Sequence, residues 1–343
     1  MGKRVLLLRP LNSYPGVEEA LSKEVQIVRW LSGSDHDLLQ TVKDVHGMIA
    51  PNFKVTREMI QNAPLLEVIG TPQAGFDKID IDAATKATVC VVANTGLAPE
   101  PVAEFTFGLM IALARRIARS DRDLHKIKDW KIRGPYADPR LEMGKELWGS
   151  TIGIVGFGHI GSTVARLSRA AFSCRILAYD PYVTSEQMNA SGVEKVSDLL
   201  TMAQEVNFLL LHLALTKDTH HLINEDVLRR MRKDAFLVNC ARGSALDEKA
   251  LIQALKEGWI AGAALDVFEE EPISSDNPLL TMDNVILTPH IAGVTIESNK
   301  KRGSELMRRV LSVLAGERPE GLVNPEVWPL FLKRFHIDKQ FNA

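Results

Sequence analysis

Cysteine is scarce in this chain, with only Cys90, Cys174 and Cys240 among 343 residues. They are scattered, with neither metal-ligand spacing nor a disulfide framework, so a reducing, cytoplasmic setting and no metal are expected. Long apolar runs are lacking too. The N-terminal run Val5 to Leu8 is too short for the apolar stretch of a secretory signal. Nothing approaches the roughly 20 apolar residues that span a bilayer, so no membrane role is expected. Net charge is only −2, which gives no global field to attract nucleic acid. No low-complexity segment stands out. The length suggests two domains, each able to bury a core.

What is present centres on residues 151–161. The β-rich run Thr151 to Val155 leads into Gly156-x-Gly158-x-x-Gly161, and a helical pattern follows through Val164, Ala165, Leu167 and Ala171. In such a strand–turn–helix the first glycine permits the tight turn and the second lets a pyrophosphate approach the backbone. The third lets the helix pack close to the strand, and free N–H groups at the helix start hold the phosphates. A lone glycine motif is weak. Here a second apolar run, Ile176 to Tyr179, ends in Asp180, where a carboxylate can accept both adenosine ribose hydroxyls and repel a 2′-phosphate. The cofactor expected is NAD rather than NADP. The plainer alternative for Asp180 is a turn acid before Pro181.

Residues 1–100 alternate candidate strands (Val5–Leu8, Val25–Val28, Gly47–Ala50, Val68–Gly70, Val89–Ala93) with polar, helix-competent segments. That alternation predicts a parallel sheet covered on both faces. No glycine motif follows the first strand, so the dinucleotide is not expected there. Ligands sit beyond the carboxyl ends of strands in open α/β sheets. The loop Gln73 to Asp77 is therefore of interest, since Ala74 and Gly75 are small enough for their N–H groups to face an anion. An ordinary strand–helix turn is the equal alternative. Residues 99–128 read as one long, largely buried helix bridging to the second domain, with Val102, Phe105, Leu109, Ile111, Leu113 and Ile117 apolar and Arg115, Arg116 and Arg119 as a solvated end. Residues 129–149, with Trp130, Tyr136 and Trp148, read as an arm over a partner subunit or the site, with a long surface loop anchored in the core as the alternative. Strands and helices alternate again to residue 290. The helix from Ile296 to Leu314 is expected to return the chain to the first domain, making a two-strand hinge with the ligand cleft between.

Three strand ends carry reactive groups: Asn239-Cys240-Ala241-Arg242-Gly243, Asp266 through Glu271-Pro272, and Pro289-His290. Parallel strands put their carboxyl ends on one side of a sheet, so these groups can converge. Arg242 can fork onto a carboxylate. His290 can exchange a proton near neutral pH, and Glu271 beside it would favour the imidazolium. Hydride transfer to a 2-keto acid needs a carboxylate clamp, a proton donor and an adjacent hydride source. Taken singly, Arg242 could be a surface cation, Glu271 a solvated turn acid and His290 a core histidine. His212 is the rival proton donor.

The motifs Asn94-Thr-Gly with Val102-Ala-Glu104, the glycine turn, Asp180-Pro-Tyr, Asn239 to Gly243, Ala264-Leu-Asp266-Val-Phe with Glu271-Pro, and Pro289-His290 together resemble the D-isomer-specific 2-hydroxyacid dehydrogenase family. The resemblance implies two doubly wound parallel-sheet α/β domains: a Rossmann cofactor domain, 101–290, inserted in a flavodoxin-like substrate domain, 1–100 with 291–343. It implies Arg242 as substrate anchor, Glu271 as histidine partner and His290 as acid/base; the strand-end loop adds Ala74 and Gly75 as candidate substrate contacts. Cofactor contacts are implied at Gly156, Gly158, His159, Ile160, Gly161, Asp180, Leu213, Cys240, Ala241, Arg242, Asp266 and His290, with Asp266 facing the nicotinamide carboxamide. A homodimer is usual. The Gln73–Asp77 loop is shorter than in phosphoglycerate dehydrogenases, and Ala74 stands where phosphite dehydrogenases carry lysine. Glu271 stands where formate dehydrogenases carry glutamine. A small 2-keto or (2R)-2-hydroxy acid such as glyoxylate, hydroxypyruvate or a sugar acid is the expected substrate. Phosphoglycerate, or a nucleotide-sensing role like that of corepressors on the same fold, are the alternatives.

Overall fold

The computed structural model describes residues 2–30, 32–128 and 143–335. The expected arm at 130–140, with Trp130 and Tyr136, lies outside them; Trp148 is exposed. The chain forms two compact units, residues 1–98 with 295–343, and residues 99–294.

The first unit holds five parallel strands: β1 (Arg4–Leu7), β2 (Gln26–Arg29), β3 (Gly47–Ile49), β4 (Val68–Thr71) and β5 (Cys90–Ala93). Their order, β2-β1-β3-β4-β5, is the flavodoxin-like one. The apolar runs form strands because both faces are covered, and Val5, Leu6, Ile69 and Val91 have no exposed surface. The second strand begins one residue later than the sequence suggests, because Arg4–Leu7 register with Gln26–Arg29. The helix Ile296–Leu314 closes one face, with Leu306, Val310 and Val313 buried. It packs so tightly that a Cβ on Gly70 would lie 2.7 Å from Val310 and 2.8 Å from Leu306. The segment beyond it is tied to β5, where Val91 N–H donates to Asn324 Oδ1 and Asn324 Nδ2 donates to the Val89 carbonyl.

The second unit holds seven parallel strands: β6 (Thr151–Val155), β7 (Arg175–Tyr179), β8 (Glu194–Lys195), β9 (Phe208–Leu211), β10 (Phe236–Asn239), β11 (Gly262–Leu265) and β12 (Val285–Leu287). The order is β12-β11-β10-β9-β6-β7-β8. From β6 the chain builds outward through β7 and β8, then returns to β9 on the other side. β6 and β9 therefore flank the point where strand order reverses, the place where such sheets take a dinucleotide. The two-residue β8 carries no apolar run, which is why the sequence did not reveal it.

The helix expected over 99–128 is two helices, Glu100–Ala114 and Ile117–Ile127. Between them Arg116 adopts a left-handed conformation, φ 56°. The Ala114 carbonyl accepts from the Lys145 N–H, so a long-range partner stands where the helix would have continued. Ile117, counted among the buried positions, is 51% exposed. The first of these helices packs on Val164's helix and the β10–β12 side of the sheet, within the second unit. Among the described residues, no helix is long and apolar enough to cross a membrane.

Candidate active site

The glycine turn sits between β6 and a 14-residue helix, His159–Phe172, whose N-cap is Gly158 and whose start has no side-chain cap. Its first N–H groups are thus left for an anion. A Cβ on Gly161 would lie 2.1 Å from the Gly156 oxygen, and one on Gly156 would lie 2.6 Å from the His212 oxygen. Nothing approaches Gly158 within 4 Å, so its face is open. Asp180 follows β7 and stands against this turn: its Oδ2 accepts from Phe157 N–H at 2.8 Å and its Oδ1 from Tyr182 N–H at 2.9 Å. The turn-acid reading and the ribose reading are therefore compatible, because a carboxylate held by two donors keeps lone pairs for hydroxyls. These residues fit a bound dinucleotide: the turn is closed to side chains where it packs and open where phosphates would lie.

Arg242, Glu271 and His290 leave the carboxyl ends of β10, β11 and β12, which are adjacent in the sheet. His290 Nδ1 and Glu271 Oε2 are 3.0 Å apart, with the imidazole about half exposed and the carboxylate a quarter exposed. Glu271 Oε1 also accepts from Phe268 N–H at 3.4 Å. Arg242 is carried on a turn shaped by Asn239, whose Oδ1 accepts from Ala241 N–H at 3.0 Å and whose Nδ2 donates to the Arg242 carbonyl at 2.9 Å. The arginine's Nη1 donates to the Ala241 carbonyl. Gly243 lies against the neighbouring segment so closely that a Cβ would fall 1.9 Å from the Phe268 carbonyl. The arginine turn and the glutamate loop are thus packed backbone to backbone.

Asp266 does more than its sequence position suggests. It is 1% exposed. Its Oδ1 accepts from Thr288 Oγ1 at 2.7 Å and Ile291 N–H at 2.9 Å, and its Oδ2 from Ala292 N–H at 2.8 Å. Its carbonyl accepts from His290 N–H at 2.8 Å. His290 has φ 57°, a conformation few non-glycine residues adopt, and these bonds fix it there. The sequence assigns no role to Thr288 or, beyond its place in the motif, to Asn239. Asn239 could have been given one, as an Asx turn before the arginine; Thr288 could not, because its partner is remote in the chain.

The remaining residues divide clearly. Cys240 and Ala241 are buried, and burial pushes the Cys240 thiol up to about 12, which keeps it protonated. Leu213 is half-buried beside the second unit's core. His159 is exposed and Ile160 half-buried at the helix start. His212 does not qualify as the proton donor, since burial pushes its imidazole down to about 4 and it carries no spare proton at neutral pH. In the first unit, Ala74 is exposed and Gly75 half-buried at the carboxyl end of β4. The loop is braced by Thr95 Oγ1 donating to the Ala74 carbonyl at 3.0 Å. Gln73 Oε1 accepts from Thr71 Oγ1 and Asn52 N–H, and its Nε2 donates to the Tyr14 hydroxyl.

Residues 107–292 match the family model described as the D-isomer specific 2-hydroxyacid dehydrogenase, NAD binding domain. The chain is 43% identical over 296 residues to a glyoxylate reductase of Thermofilum pendens, covering 86% of each protein. It is 41% identical over 325 residues to a D-3-phosphoglycerate dehydrogenase of Methanocaldococcus jannaschii, covering 94% of this chain and 59% of that protein. Among solved structures, D-lactate dehydrogenase from Aquifex aeolicus with NAD and lactic acid superposes with a TM-score of 0.81 at 29% identity, covering 92% of this chain and 96% of that one. The chain belongs to the D-isomer-specific 2-hydroxyacid dehydrogenases, NAD-dependent oxidoreductases that move a hydride between the nicotinamide and a 2-keto acid.

Proposed function

We propose that this chain reduces a small 2-keto acid, glyoxylate first among them, with Arg242 as carboxylate anchor, His290 as proton donor and Glu271 as its partner. The product is the (2R)-2-hydroxy acid wherever C2 becomes a stereocentre. The carrying observation is the 3.0 Å contact between His290 Nδ1 and Glu271 Oε2. A carboxylate at Nδ1 orients the ring and leaves Nε2 as the nitrogen that delivers the proton. NADH, when bound at the glycine turn, supplies the hydride. His290 then protonates the carbonyl oxygen, while the Arg242 fork keeps the acid from turning.

Cofactor contacts are proposed at Gly156, Gly158, His159, Ile160, Gly161, Asp180, Leu213, Cys240, Ala241, Arg242, Asp266 and His290. The unit of residues 1–98 and 295–343 is proposed to read the substrate, with the Ala74 and Gly75 amides as its anion donors. The names of the relatives support glyoxylate and, as a second reading, a phosphorylated three-carbon acid. A homodimer in the cytoplasm completes the proposal, the three free thiols supporting the compartment. The test is NADH consumption over a panel of glyoxylate, hydroxypyruvate, sugar-derived 2-keto acids and 3-phosphohydroxypyruvate. Glyoxylate and hydroxypyruvate should turn over best. Preference for the phosphorylated acid would select the second reading, and a monomer mass by light scattering would remove the dimer.

A further inference from the structure

His212 is a buried polar side chain that no described residue pairs with. It is 9% exposed, and neither Nδ1 nor Nε2 has a hydrogen-bond partner among the described residues. Buried polar groups in folded proteins are almost always paired, and leaving both nitrogens of one imidazole unsatisfied is costly. A leucine would fill such a place without that penalty, so the orphaned nitrogens call for an explanation.

Position supplies one. His212 is the first residue beyond β9, and its N–H donates to the Val155 carbonyl at the end of β6. Its own carbonyl is what a Cβ on Gly156 would strike at 2.6 Å. The residue therefore stands at the reversal of strand order, against the glycine turn that receives a pyrophosphate. Because burial holds the ring neutral, it offers one N–H donor rather than a charge. Both nitrogens lie inside the protein surface, so what remains exposed is carbon and backbone. A half-turn about Cβ–Cγ exchanges Nδ1 with Cδ2 and Nε2 with Cε1, carrying the nitrogens to the opposite edge of the ring.

We propose that His212 is a cofactor-binding residue whose neutral imidazole N–H donates to a pyrophosphate oxygen of the bound dinucleotide, the bond that its buried nitrogens lack in the free protein. This rests on dinucleotide binding by this domain, not on the assignment of the acid/base residues.

The test uses the full chain and reads binding rather than turnover. Dissociation constants for NADH and for adenosine, which lacks both phosphates, are measured for the unaltered protein, His212→Leu and His212→Asn, together with the melting temperature with and without NADH. His212→Leu should weaken NADH by roughly tenfold or more, the scale of one hydrogen bond to a charged group. Adenosine binding should be unchanged, and His212→Asn, which keeps an N–H donor, should recover part of the loss. The leucine variant without ligand should melt no lower than the unaltered protein, while its stabilisation by NADH shrinks. NADH affinity in the unaltered protein should stay flat between about pH 6 and 8, because the ring is neutral throughout. Unchanged NADH affinity in His212→Leu would overturn the proposal. So would equal losses for NADH and adenosine, or a lower melting temperature with the NADH gain intact, since each would make His212 a packing residue. If His212→Leu fails to fold, ring ¹⁵N signals of His212 in the unaltered protein decide: a shift on adding NADH but not adenosine supports the bond, and no shift refutes it.

Discussion

The two units solve the same problem with the same architecture and diverge at a single turn. Each is an all-parallel sheet with covered faces, and in each the loops at the strand ends carry the polar residues. After β1 comes Leu8-Arg9-Pro10, and the next helix, Val17–Leu21, is only 5 residues long. After β6 comes Gly156-Phe157-Gly158, and the next helix runs for 14 residues from an uncapped start. The fold alone therefore does not make a dinucleotide site. Three glycines and a helix long enough to project its positive end do. The polar groups differ in kind as well. In the first unit Gln73 satisfies itself against Thr71, Asn52 and Tyr14. In the second, the ring nitrogens of His212 have no partner among the described residues, and His290 is held in an unfavourable backbone conformation by Asp266.

The largest expected effect belongs to the second unit. His290→Asn should lower kcat by about 10²–10⁴ with NADH affinity kept, the range for removing a positioned acid; stopped-flow reduction and NADH titration check it, and an active variant would remove the histidine from the chemistry. Next comes the glycine contrast. Gly161→Val puts atoms where the Gly156 oxygen already stands at 2.1 Å, so NADH binding should be lost. Gly16→Ala in the first unit meets nothing within 4 Å. There the left-handed backbone alone should cost about 1 kcal/mol of stability, with NADH affinity untouched. Calorimetry and titration of both variants sharpen the contrast, and equal effects on NADH would erase it. Asp180→Ser should then raise relative use of NADP by roughly tenfold, through loss of like-charge repulsion at the 2′-phosphate; unchanged cofactor preference would return Asp180 to a turn acid. Smallest is Glu271→Gln. The amide keeps the contact at His290 Nδ1 but not the charge, so kcat should fall by less than for His290→Asn, with NADH affinity unchanged in titration. An unchanged kcat would leave Glu271 a purely steric role.

Much of this was legible in the order of residues. Buried parallel strands read as apolar runs because both faces are covered, and Gly156-x-Gly158-x-x-Gly161 with Asp180 announces its own geometry. The arginine, glutamate and histidine appear in sequence as three strand ends. The break at Arg115–Arg116 did not appear there, because it depends on Lys145 taking the Ala114 carbonyl.

Residue order determined most of the elements, the sheet class, the glycine turn and the candidate reactive groups, since these follow from local periodicity and from side chains needed at fixed short spacings. Tertiary structure alone decided which polar atoms have partners. Asp266 became the anchor of the histidine loop because Thr288, Ile291 and Ala292 reach it across adjacent strands. Burial pushes the His212 imidazole down to about 4 because the surrounding core desolvates it. Desolvation and remote hydrogen bonds depend on the full three-dimensional surroundings of an atom, which no window of the sequence contains.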